Sequence, residues 1–280
     1  MTLTGKGRVA GVMGWPVGHS RSPRLHGFWL DRYGIDGAYV PMAVRPERVV
    51  EAVRALPILG FAGCNLTVPH KELVLSALDN VEPLARRIGA VNTVVVGPDG
   101  SLDGANTDAF GFVESLREAI PGWRGERGPA MVIGAGGAAR AVVAALQDAG
   151  APEIRLANRT AARAAALAAD LGGVTLVDWT DRAAALAGAA LLVNATTQGM
   201  AGQAPLDLDL EHLPTSAVVT DIVYVPLETP LLAAAGARGN PVVDGLGMLL
   251  HQARPGFERW FGYAPEVTAE LRRFVLGAPA

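Results

Sequence analysis

This chain of 280 residues holds a single cysteine, Cys64, so it has no internal disulfide framework and a reducing, cytoplasmic setting is expected. Charge is sparse and balanced: 18% of residues are charged and the formal net charge is −3. That leaves no electrostatic basis for binding nucleic acid or an anionic membrane. Long hydrophobic runs are also missing. The longest, at 183–193, is rich in Ala and Gly and falls well short of the roughly 20 residues that a membrane helix needs. The first apolar stretch, VAGVM, reads as a strand and not as a leader peptide. The five histidines, His19, His26, His70, His212 and His251, show no H-E-x-x-H spacing, and one cysteine cannot build a zinc cluster. No metal is expected. The G-x-S-x-G elbow of serine hydrolases is absent as well.

What the chain has in quantity is apolar surface: half its residues are hydrophobic, enough for the cores of two domains. No internal repeat or low-complexity linker interrupts it. Strands are expected at 8–13, 38–42, 61–65, 92–96, 101–105, 129–133, 153–157, 174–178, 190–193, 217–221 and 241–243. Helices are expected at 23–33, 46–55, 69–78, 108–119, 137–149, 161–171, 181–188, 229–237, 246–259 and 265–276. This alternation predicts α/β layers with largely parallel strands. The composition turns Ala-rich from about Ala138, so a boundary is placed near Thr107 and a return crossing near Gly245. The expected domains are 1–107 with 246–280, and 108–245.

PAMVIGAGGAARAVVAAL at 129–146 reads as a buried strand, a Gly-rich turn and a helix, with Gly134, Gly136 and Ala139 in a G-x-G-x-x-A pattern. Gly134 permits the tight turn and Gly136 lets backbone approach a pyrophosphate. Gly137 and Ala138 bring the helix N-terminus close to it. A strand–helix turn without a ligand would look similar, but here both flanks are correct for a dinucleotide. The next strand ends at Asn158-Arg159-Thr160. It offers a guanidinium where an NAD site presents a carboxylate to the ribose, which favours NADP. Thr160 is also a candidate helix cap.

Three polar clusters precede this segment. GVMGWPVGHSRSPR at 11–24 leaves a strand through a Gly/Pro turn, with Ser22 and Pro23 read as N-cap and first helical residue, and Ser20 left over. CNLTVPHK at 64–71 carries Asn65, Thr67 and Lys71, with Pro69 expected to begin a helix and so to put Lys71 in its first turn. GAVNT at 89–93 and GANTDAFGF at 104–112 supply Asn92, Asn106, Thr107 and Asp108. Each group has a local reading as a cap, turn residue or solvated charge. Together, an ammonium oriented by a carboxylate makes a proton donor beside a hydride acceptor, and neutral polar groups suit a polyhydroxylated substrate.

GHSRSPRLH, NLTVPHK, GAVNT, NTDAFG, GAGGAAR, NRT, NATTQGM, DIVYVPLETPLL and DGLGMLLHQA resemble, in order, the motif series of the shikimate dehydrogenase family. The resemblance covers nearly the whole chain. It implies an N-terminal α/β substrate domain, completed by the C-terminal helices, joined to a Rossmann-fold NADP domain. It also implies reversible NADPH-dependent reduction of 3-dehydroshikimate to shikimate, on the route to chorismate and the aromatic amino acids. Carried over by residue, it assigns Lys71 and Asp108 as the catalytic pair. Ser20 and Ser22 would hold the substrate carboxylate, helped by Tyr224. Asn65, Thr67, Asn92 and Gln252 would bind ring hydroxyls. Gly134, Gly136, Gly137 and Ala138 match the pyrophosphate loop, and Asn158, Arg159 and Thr160 the 2′-phosphate pocket. Asn194, Thr196, Gly199, Met200, Ile222, Gly245 and Met248 would line the nicotinamide side. Gly27, where the family often has Asn, and Ala109, where it often has Gly or Trp, are departures that remove no catalytic group. The alternatives are a quinate/shikimate dehydrogenase using NAD, an enzyme of the methylenetetrahydrofolate dehydrogenase type, and a non-catalytic NADP- or shikimate-binding regulator. The last would predict loss of the Lys/Asp pair. The expected partners are small molecules only, with the chain a monomer or homodimer.

Overall fold

The computed structural model describes residues 3–277, which divide into two compact units: residues up to Thr107 together with those from Leu250 onward, and Asp108–Leu249. The first segment runs β1 (Arg8–Gly14), α1 (Ser22–Arg32), β2 (Gly37–Ala43), α2 (Val49–Arg54), β3 (Phe61–Leu66), β4 (Asn80–Val81), α3 (Pro83–Ile88), β5 (Thr93–Val96) and β6 (Leu102–Ala105). The second unit follows with α4 (Asp108–Ala119), β7 (Ala130–Ile133), α5 (Gly137–Asp148), β8 (Ile154–Ala157), α6 (Ala161–Leu171) and β9 (Thr175–Val177). It continues through β10 (Leu191–Asn194), β11 (Val218–Asp221), α7 (Pro230–Ala237) and β12 (Val242–Val243). The chain returns through α8 (Gly245–Phe261), within which the division at Leu249 falls, and ends on α9 (Ala269–Leu276).

The first sheet has the order β2-β1-β3-β5-β6-β4. Strand β5 runs antiparallel to both its neighbours, so this sheet is mixed and not wholly parallel. The reason is local. The turn at Gly97–Ser101, closed by the Gly97 N–H on the Ser101 carbonyl at 2.8 Å with Gly100 at φ +84°, makes β5 and β6 a hairpin. One face buries Val49, Val53 and Leu56 against Cys64, Leu66, Val91 and Val94. Near the other end, the second half of α8 brings Phe257 and Trp260 beside Trp29, Tyr39 and His26. The Trp260 indole N–H donates to Val94 O at 3.0 Å, and Gly63, at φ +149°, leaves the room that this indole occupies.

The second sheet is wholly parallel, in the order β12-β11-β10-β7-β8-β9. Numbered from β7, this is the doubly wound order 3-2-1-4-5-6 of dinucleotide-binding sheets. Strands β7, β10 and β11 are buried along their whole length, as expected for a parallel sheet covered on both faces.

Two expected helices are replaced by tighter turns. Residues 69–78 form turns followed by a 3-10 segment, Leu73–Ala77, because the Lys71 carbonyl accepts from the Val91 N–H at 2.8 Å in place of an α-helical partner. Residues 181–188 hold only short 3-10 turns, since the Arg155 guanidinium takes the carbonyls of Ala185 and Ala187 at 2.8 and 2.7 Å. Strand β4 and helix α3 were not expected. α3 is a six-residue helix with Pro83 in its first turn and Gly89 as its left-handed cap. Among the described residues no helix is long and apolar enough to cross a membrane.

Candidate active site

In the first unit the parallel strands β1 and β3 end side by side, and the turns beyond their ends are stitched together. The Thr67 N–H donates to Met13 O at 2.9 Å and the Trp15 N–H to Val68 O at 3.1 Å. A Cβ on Gly14 would stand 2.5 Å from Thr67 Cγ2, so a larger residue there would force the Thr67 side chain aside where these turns meet. The Leu66 N–H reaches Asn92 O, and the Val91 N–H reaches Lys71 O, both at 2.8 Å. All three polar clusters of this unit therefore converge at one sheet end.

Ser22 is the first residue of α1 and is not its cap; the N-cap position is Arg21. The Ser20 hydroxyl accepts from the Ser22 N–H at 3.3 Å, so Ser20 satisfies one of the orphan amides of this helix. Ser20 is half-buried and Ser22 buried. Ser22 also hydrogen-bonds the Tyr39 phenol, which in turn donates to Asn65 Oδ1 at 2.6 Å. Burial raises the Tyr39 phenol well above its usual range, so it stays protonated and a donor. Asn65 Nδ2 gives its two hydrogens to Asn92 O at 3.0 Å and Thr93 Oγ1 at 3.1 Å. What Asn65 still offers a ligand is one lone pair on Oδ1. Asn92 Nδ2 donates to Thr107 Oγ1 at 3.0 Å and Gln252 Oε1 at 3.2 Å, while Asn92 Oδ1 receives the Thr107 N–H at 2.8 Å. Tyr39 and Thr93 are thus part of this network, although sequence reasoning did not single them out. Thr93 lay inside the GAVNT motif; Tyr39 carried no local signal beyond its place in a strand.

Lys71 is half-buried in a turn and not in a helical first turn, so the helix dipole has no part in its setting. Thr67 is half-buried beside it. Asn106 is buried, with its amide donating to Ala90 O at 2.9 Å. Asp108 opens α4, is 4% exposed and belongs to the second unit, as does the half-buried Tyr224. Cys64 is fully buried, and burial pushes its thiol up, which makes it a packing residue and not a nucleophile.

In the second unit the carboxyl ends of β7, β10 and β11 carry the remaining residues. Gly134 has φ +117°, and a Cβ there would meet Ala195 O at 2.8 Å and Thr196 Cγ2 at 3.0 Å. The glycine turn and the loop after β10 therefore touch. Gly136 is the N-cap of α5, and with Gly137 and Ala138 it presents main-chain N–H groups without a side-chain cap. Such an uncapped, side-chain-free helix start fits a pyrophosphate. Gly245 lies against Ile222, where a Cβ would come within 2.4 Å of the Ile222 carbonyl oxygen. Met248 is buried on the next turn of α8, and Met200 is half-buried on the loop after β10.

At the end of β8, Asn158 Nδ2 donates to Thr160 O at 2.8 Å. Thr160 occupies the N-cap position of α6, but its side chain makes no cap bond. Arg159 is exposed, with no carboxylate engaging it among the described residues. Arg163, one helical turn on and missed in the sequence reading, reaches back so that its Nη2 lies 4.0 Å from where a Gly136 Cβ would be. Its spacing of four from Arg159 on the same helix end was the available signal. Among the described residues no group of three or more His, Cys, Asp or Glu could hold a metal.

Residues 12–94 match the model of the shikimate dehydrogenase substrate binding domain, and residues 121–201 that of shikimate / quinate 5-dehydrogenase. The chain belongs to the shikimate dehydrogenase family. A relative from Paramagnetospirillum magneticum, named shikimate dehydrogenase (NADP(+)), is 69% identical over 275 residues, covering 98% of this chain and 100% of that protein. Among solved structures, shikimate 5-dehydrogenase from Thermus thermophilus in complex with NADP(H) and shikimate is 40% identical, with a TM-score of 0.86 over 97% of this chain and 100% of that one. Quinate dehydrogenase from Corynebacterium glutamicum in complex with NAD is 33% identical, with a TM-score of 0.89 over 97% and 99%. Shikimate dehydrogenases and a quinate dehydrogenase thus share this fold, so substrate and cofactor preference rests on individual residues.

Proposed function

We propose that this family member is an NADP-dependent shikimate dehydrogenase, which reduces 3-dehydroshikimate reversibly to shikimate in aromatic amino-acid biosynthesis. The residues up to Thr107 and from Leu250 onward form the substrate domain, and Asp108–Leu249 the NADP domain. The observation that carries the cofactor preference is the end of β8, where Arg159 and Arg163 are present and no carboxylate awaits a ribose hydroxyl. Two guanidiniums at that point favour a 2′-phosphate. The single cysteine is buried, which supports a reducing, cytoplasmic setting.

A nicotinamide cofactor held at Gly134, Gly136, Gly137 and Ala138 would supply the hydride for the carbonyl carbon. Lys71 gives a proton to the developing alkoxide, and Asp108 keeps that ammonium oriented. Ser20, Ser22 and the N-terminus of α1 hold the substrate carboxylate, with Tyr224 contributing a phenol. Asn65, through its remaining lone pair, accepts from a ring hydroxyl, and Thr67, Asn92 and Gln252 complete that hydrogen-bonding wall. In the oxidative direction Lys71 accepts the hydroxyl proton that it gives in reduction.

The test is formation of the reduced cofactor, NADPH or NADH, by purified protein given shikimate or quinate with NADP or NAD. Shikimate-dependent reduction of NADP, with quinate and NAD poor, is expected. Preference for NAD or quinate would assign the catabolic branch instead. NADP binding without turnover on any pair would make the chain a regulator.

A further inference from the structure

One buried carboxylate is left unused by this reading. Asp221, the last residue of β11, is fully buried. Its Oδ2 accepts from Asn194 Nδ2 at 3.0 Å and from the Thr229 hydroxyl at 2.8 Å, and its Oδ1 from the Val223 N–H at 2.9 Å. Burial raises its carboxyl, and these three donors oppose that rise.

Each donor ties the carboxylate to a different piece of chain. Asn194 ends β10 and uses Oδ1 to receive the Thr196 N–H at 3.1 Å and the Thr196 hydroxyl at 2.7 Å. Its Nδ2 also reaches Gln198 O at 3.1 Å, and the Thr196 hydroxyl receives the Gln198 N–H at 3.0 Å. Val223 lies in the loop after β11, between Ile222 and Tyr224. Thr229, itself fully buried, caps α7 by accepting from the Leu232 N–H at 3.3 Å. Packed on these, Gly199 approaches Thr229, and the Ala201 N–H donates to Val225 O at 2.8 Å. The loops after β10 and β11 thus share one hub, a buried carboxyl group whose two oxygens accept from three donors.

We infer that Asp221, with Asn194 and Thr229, is a positioning centre that sets the nicotinamide-side loops carrying Thr196, Met200 and Ile222, and that it acts on hydride transfer and not on the grip of the adenosine end. This rests on the proposed NADP-dependent function. The adenosine end is held elsewhere, by the glycine turn and the residues after β8, none of which bonds to Asp221 among the described residues. Asp221 touches no reacting atom in this scheme; its effect passes through Asn194 and the Val223 amide.

The experiment uses the full chain with Thr229→Val, Thr229→Ser and Asp221→Asn. Thr229→Val removes one donor at nearly constant volume, Thr229→Ser restores it, and Asp221→Asn replaces one acceptor oxygen with a donor facing Asn194 and Thr229. Three quantities are read: the dissociation constant of adenosine 2′,5′-bisphosphate, that of NADP+, and the primary deuterium isotope effect on kcat. For Thr229→Val, the bisphosphate should bind within about twofold of the parent, while NADP+ binds about tenfold more weakly, the loss expected of one unsatisfied buried group. The isotope effect should rise as hydride transfer becomes slower than product release. Thr229→Ser should behave as the parent, and Asp221→Asn should exceed Thr229→Val. Parallel weakening of both nucleotides together with a lowered Tm would make the network merely structural and overturn the inference. Unchanged NADP+ binding and isotope effect would overturn it as well. A parent that binds NADP+ yet turns over no substrate would instead sink the proposed activity. The two nucleotide affinities would still test the positioning role.

Discussion

His26 should make this protein acid-labile, and by an amount that can be worked out. Its ring lies on the Tyr39 ring at 3.9 Å with 9° between planes, with Trp29, Phe257 and Trp260 around it. Among the described residues neither ring nitrogen has a hydrogen-bond partner, and His26 is fully buried. Burial therefore lowers its pKa from 6.5 to about 3. The unfolded chain binds the proton more readily, so stability is intact above the unfolded value and is lost as pH falls from there toward the folded one. Between about pH 7.5 and about pH 4.5 this single group should remove about 3 kcal/mol, from RT times the logarithm of the ratio of the two binding polynomials. The assay is urea unfolding at both pH values, followed by tryptophan fluorescence, on the parent and on His26→Phe. Phe keeps the stacking and cannot be protonated, so the parent should lose about 3 kcal/mol more than the variant over this interval. Parallel losses in the two proteins would mean that the imidazole takes up its proton without penalty, and the burial argument would fail.

Three further outcomes are expected from the same structure. On the roles proposed above, Lys71→Ala should lower kcat by about a hundredfold or more with KM little changed, because it would remove a proton donor used in the transition state; steady-state kinetics with shikimate decide this, and a change in KM alone would make Lys71 a binding group. Arg159→Ala should raise the KM for NADP about tenfold and leave the weak reaction with NAD unaltered, and equal losses with both cofactors would refute a 2′-phosphate contact. Gly27→Ala should stabilise the chain by about 0.5–1 kcal/mol, since this glycine is mid-helix in α1 with nothing within 4 Å of the added Cβ; a lowered urea midpoint would contradict it.

The sequence determined by itself whatever depends on local pattern. The unbroken apolar strand AMVI, the Gly-x-Gly turn after it and the Ala-rich α5 each arise from neighbouring residues, as do the two ends of α3 at Pro83 and Gly89, a local signal that went unread. Residue types at the glycine turn and after β8 were legible because backbone approach and phosphate recognition require particular side chains there. Tertiary structure alone decided the rest. Lys71 is in a turn because Val91, twenty positions on, takes its carbonyl, and residues 181–188 fail to close a helix because Arg155 takes theirs. The same holds for the polar networks. Tyr39 fixes the amide of Asn65, and Asp221 gathers Asn194, Val223 and Thr229, through bonds between residues far apart in sequence. A hydrogen bond between distant residues leaves no periodicity in a sequence, since its partners are brought together only when the sheet is assembled.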